Sequence, residues 1–118
     1  MIEELIKKVF TTQVKAKLFH WKTSSYAQHM AAGEFYDAVD GPLDDLVEDY
    51  QAAFTKVDNI KIEEFETEDD ILSLLKKDVV WISKNRSRIC EDVSSLENII
   101  DELSNVYLKT IYKLENLS

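Results

Sequence analysis

Two glycines and one proline in 118 residues leave this chain little turn-making chemistry, and that scarcity limits the folds open to it more than any other feature. Sandwiches, barrels and Gly-loop nucleotide folds need many tight turns that draw on Gly, Pro or Asn at fixed positions. Long helices need few. With 45% hydrophobic and 31% charged residues, the composition supplies an apolar core for one domain spanning residues 1–118.

The apolar pattern has the helical period throughout. Residues 2–22 repeat Ile2, Leu5, Ile6, Val9, Gln13, Ala16 and His20 at steps of three and four. The same segment carries a second row, Phe10, Val14, Leu18 and Trp21, about 100° around the cylinder. A helix with two apolar rows is covered twice, either by a wide stripe within one bundle or by a second subunit. A second helix is expected over 26–56, with Phe35, Val39, Leu43 and Leu46 inward and a kink at Gly41-Pro42, since its apolar face keeps phase across the proline.

Residues 57–66 have no helical phase, and Ile60, Ile62 and Phe65 suggest a connector laid across the bundle. Thr67-Glu68-Asp69-Asp70 has the form of a capping box opening a third helix that runs to about residue 90, and Ser94 with Glu97 forms another before the last helix. Four helical segments with short connections give an all-α, antiparallel four-helix bundle. Leu5, Phe35, Leu46 and Leu103 are expected in its core.

Charge and cysteine content narrow the setting. Fourteen Lys and Arg against 23 Asp and Glu give a net charge of −9, which opposes binding to nucleic acid or anionic membrane. Such acidity also admits an adaptor that mimics DNA. Cys90 has no partner in the chain, so no internal disulfide forms and the expected compartment is the cytoplasm. The sequence has neither the pattern of a signal peptide nor a run long and apolar enough for a spanning helix.

Most enzymatic motifs are missing: there is no phosphate loop, no CxxC, no HExxH and no Glu-x-x-His. What remains is the stretch from His20 to Glu48. On a straight second helix, with His29 as zero, Asp40, Asp44, Asp37 and Glu48 fall at about 20°, 60°, 80° and 100°. Imidazole with carboxylates is a donor set for iron, zinc or manganese. The same pattern also describes a solvated acidic edge beside a core histidine.

Here the residues resemble a known family. LFHWKTSSYAQHMAAGEFYDAV is similar to the first-to-second helix junction of Dps proteins, the miniferritins of the ferritin-like superfamily, where a His-Trp pair ends one helix and a second His opens the next. It looks most like the short Dps-like proteins of tailed bacteriophages. The resemblance covers residues 13–54 and extends loosely through SSLENIIDELSNVYLKTIYKL. It implies a ferritin-like homo-oligomer, a two-fold dimer or larger, in the cytoplasm, or the host cytoplasm for a viral protein.

The resemblance also implies iron, or another divalent metal such as zinc or manganese, bound between subunits, with oxidation of Fe²⁺ as the reaction. His20 and His29 match the two histidines, and Asp44 and Glu48 match the Asp-x-x-x-Glu of the two-fold mate. The His20–His29 interval is nine residues where the family has about a dozen, and Gly33 stands where the family has its aspartate. Glu34 and Asp37 are the available substitutes, and Asp37 is the better placed, since Glu34 points about 100° away from Gly33. A bundle retained for structure or protein interaction, without metal chemistry, is the alternative that Gly33 and the short loop suggest.

Overall fold

The computed structural model describes residues 1–62 and 66–117 and measures 44 × 28 × 21 Å. Its elements are α1 (Ile2–Lys22), α2 (Tyr26–Ala38), α3 (Asp40–Ala53), α4 (Ile71–Ile89) and α5 (Ser94–Asn116). No strand occurs among the described residues. Helix α1 packs on α2 and α4, while α5 packs on α2, α3 and α4. The result is a helical bundle around one apolar core.

Helices α2 and α3 are one helix bent at Val39. Pro42 has no N–H for the carbonyl of Ala38, so the ladder loses a rung there. Val39 nevertheless keeps right-handed helical dihedrals (φ −74°, ψ −22°), its N–H reaches Phe35 O at 3.1 Å, and Leu43 N–H reaches Val39 O at 3.1 Å. The bend preserves the phase of the buried face, and Phe35, Val39, Leu43 and Leu46 all point inward. This is the kink expected from Gly41-Pro42.

The core agrees with the helical phase: Leu5, Leu46 and Leu103 are fully buried and Phe35 nearly so. Burial of a Leu or Phe side chain contributes about 1.5–3 kcal/mol each. Of the second row of α1, Phe10, Val14 and Trp21 are exposed and Leu18 is half-buried.

Several local expectations are corrected. Neither capping box forms. Asp70, rather than Thr67, is the N-cap of α4, its carboxylate accepting from Ser73 N–H at 3.0 Å. Helix α5 has Val93 as N-cap with no side-chain bond, and Glu97 pairs with Arg86 at 3.3 Å instead. In the connector, Ile60 packs on the core, but Ile62 is exposed, and Phe65 lies outside the described residues. Phe54 and Leu117 are likewise exposed, each sitting just past its helix end.

Candidate functional site

The end of α1 and the start of α2 meet across Thr23-Ser24-Ser25. Ser25 caps α2, its hydroxyl accepting from Gln28 N–H at 3.2 Å, and Thr23 Oγ1 donates to Gln28 Oε1 at 2.6 Å. This tight turn brings the two histidines face to face. Their rings stack with centroids 3.6 Å apart and planes 17° from parallel.

The hydrogen bonding is reciprocal. His20 Nδ1 donates to the carbonyl of His29 at 2.6 Å, and His29 Nδ1 donates to the carbonyl of His20 at 2.7 Å. A carbonyl oxygen can only accept, so each Nδ1 carries a proton, and the neutral form of each ring has its lone pair on Nε2. A histidine whose Nδ1–H is held by a carbonyl in this way has the orientation and tautomer of a metal ligand through Nε2. Tyr36 meets His20 edge-on at 5.4 Å.

Gly33 has a steric reason to be glycine. A Cβ there would sit 2.9 Å from His20 Cε1 and 3.0 Å from Nδ1. The imidazole is pinned by its stack and its hydrogen bond, so it cannot swing aside freely. The place where the Dps resemblance expects an aspartate is therefore closed by the His20 ring itself.

The carboxylates lie elsewhere. Asp37, Asp44 and Glu48 are all exposed, and among the described residues no three His, Cys, Asp or Glu side chains of one chain converge to hold a metal ion. Asp37 borders a shallow recess of about 320 Å³ with Gln13, Lys17 and Asp40. Asp40 is taken by Gln13, whose Nε2 donates to Asp40 Oδ1 at 2.8 Å and to Tyr36 O at 2.7 Å. That explains the polar Gln13 within the apolar row: it ties α1 to the bend. Glu34 pairs with Lys113. One chain thus joins the two histidines but leaves Asp37, Asp44 and Glu48 on its outer surface.

A second polar feature, absent from the sequence reading, lies between α1, α4 and α5. Asp78 is 3% exposed, and its Oδ2 accepts from Tyr107 Oη at 2.8 Å and from Thr12 Oγ1. Burial pushes the carboxyl above the usual carboxylate range against the opposing pull of those two hydroxyls. The signal was present in the phase, because Ile71, Leu75, Asp78 and Ile82 form one row and only the third is polar. Cys90 is buried and its thiol is pushed up to about 11, mainly by that burial, so it offers little thiolate for nucleophilic chemistry. No helix among the described residues is long and apolar enough to cross a membrane.

Residues 20–114 match the model of a family described as a family of unknown function, DUF5856. No curated protein and no solved structure matches the chain.

Proposed function

The chain belongs to the DUF5856 family, and for this member we propose a ferritin-like, antiparallel bundle that assembles as a homo-oligomer and binds iron or a similar divalent metal between subunits. The observation that carries this reading is the histidine pair, with both Nδ1–H groups committed to backbone carbonyls and both Nε2 lone pairs left as donors. Two nitrogens do not complete a site, and among the described residues of one chain no third ligand joins them. The missing oxygens fit the exposed Asp-x-x-x-Glu, Asp44 and Glu48, supplied by a second copy, with Asp37 as a further donor.

An exposed apolar row supports assembly. The row Phe10, Val14 and Trp21 is exposed on α1, the same helix that carries His20, and a second subunit there would cover it. The same docking would carry Asp44 and Glu48 of the partner subunit toward the histidines. Fe²⁺ is then the substrate: the imidazoles would orient it, the carboxylates would offset its charge, and two ions would give one electron each either to peroxide, which takes up two protons and leaves as two waters, or to dioxygen, which takes up two protons and leaves as hydrogen peroxide. Other divalent metals with a preference for N and O donors would compete for the site.

A second reading is favoured by Gly33. The reciprocal bonds also make the histidines a clasp between α1 and α2, and the ring that seals Gly33 would serve a structural or protein-interaction bundle equally well. Titration with Zn²⁺ and Fe²⁺ separates the two. Saturable uptake by the wild type that falls at least tenfold in both His20→Ala and Glu48→Ala supports the metal site. Equal uptake by all three proteins rejects it and leaves the clasp.

A further inference from the structure

The net charge of −9 conceals a strong segregation. Helices α1 and α4, which pack side by side, carry ten of the fourteen Lys and Arg and three acids, one of them the buried Asp78. Helices α2 and α3 carry seven acids and no Lys or Arg. One flank of the bundle is cationic and another is anionic.

The cationic flank has a shape as well as a charge. Lys77, Val80, Trp81 and Lys84 line a groove of about 390 Å³ on α4. Val80 is 52% exposed, and the Lys8 ammonium lies 4.9 Å from the centroid of the Trp81 ring, extending the positive rim onto α1. Lys77 and Lys84 make no ion pair with the described residues. On α3, Asp45 and Asp49 are exposed one turn apart and likewise make no ion pair with the described residues. They stand outside the candidate metal set.

We propose that this groove is a docking surface for a second copy of the chain, which seats its Asp45–Asp49 shoulder between Lys77 and Lys84. The two patches are different surfaces of one molecule, so the contact is heterologous and repeats from copy to copy rather than closing on a two-fold. It uses neither histidine and neither Asp44 nor Glu48, so it stands apart from the metal site and extends any two-fold assembly. Exposed ion pairs are weak one by one and are screened beyond about 10 Å at 0.1 M salt. The association is therefore a low-salt one.

Sedimentation of three proteins tests this. The wild type forms species that grow with concentration at 20 mM salt and shrink at 500 mM. A groove variant, Lys77→Glu with Lys84→Glu, and a shoulder variant, Asp45→Lys with Asp49→Lys, each lose that growth alone. Mixed one to one, they form a heavier complex, since the intact shoulder of one meets the intact groove of the other. Circular dichroism of each variant, matching the wild type, establishes that it is folded. A mixture no heavier than its components overturns the proposal, as does wild-type growth indifferent to salt. Binding of single-stranded nucleic acid by the wild type and the shoulder variant, lost in the groove variant and with no complex in the mixture, would assign the groove to a polyanion instead.

Discussion

The backbone of Gly33 lies against the edge of the His20 ring, so closely that a Cβ would stand 2.9 Å from Cε1. Gly33→Ala therefore has two opposed effects: a gain of about 1 kcal/mol in helix propensity and an overpacking cost of about 1–3 kcal/mol. The ring is fixed by its stack on His29, so the cost prevails and the variant melts lower. Gly41 is the control, because a Cβ there meets nothing within 4 Å. Gly41→Ala escapes that overpacking, although an Ala before Pro42 sits less easily in helical dihedrals than Gly, so it should melt above Gly33→Ala. Equal gains at both positions in thermal melts would contradict the contact.

Asp78 gives the fold a pH dependence of known sign. Burial raises its carboxyl above the ordinary value, so the folded chain holds that proton more tightly than the unfolded chain. Its contribution is full below the ordinary Asp value of about 4 and is lost as pH rises through the raised folded value. Asp78→Asn keeps an oxygen for Thr12 and Tyr107 yet has no proton to lose. Urea unfolding at pH 4 and pH 8 should show stability shifting in favour of the variant at the higher pH. An identical gap between variant and wild type at both values would exclude the effect.

Leu103 tests the bundle itself. It is fully buried in the core, and Leu103→Ala should cost about 2–5 kcal/mol through lost transfer energy and the cavity left behind. Val80, on the outer face of α4 and 52% exposed, should tolerate Ala within about 0.5 kcal/mol. Denaturant melts that rank the two substitutions the other way would refute the helical phase.

What could be read in advance follows from which forces are periodic. Leu5, Phe35, Leu46 and Leu103 were legible because burial repeats every three to four residues in each helix. The bend at Val39 was legible because Pro42 lacks a donor. The caps were not: Asp70 and Val93 took positions that the patterns at Thr67 and Ser94 had claimed, since packing of α4 and α5 against the core set where the helices start, and Glu97 had Arg86 as a competing partner. Spacing placed His29 and the carboxylates on one edge, yet their tertiary partners depend on the turn at Thr23–Ser25, which folds His29 onto His20 and leaves Asp44 and Glu48 outside. The place of Asp78 in the row Ile71, Leu75, Asp78 and Ile82 points inward, whereas its two hydroxyl partners, Thr12 and Tyr107, come from other helices and have no signature in the sequence.

The most direct test of the metal reading is a crystal of the wild type soaked with Fe²⁺ or Zn²⁺ and measured at the metal's absorption edge. One anomalous peak per subunit is expected, within coordination distance of Nε2 of His20 or His29 and of a carboxylate from a neighbouring copy. A fully loaded crystal with every peak remote from both histidines would contradict it.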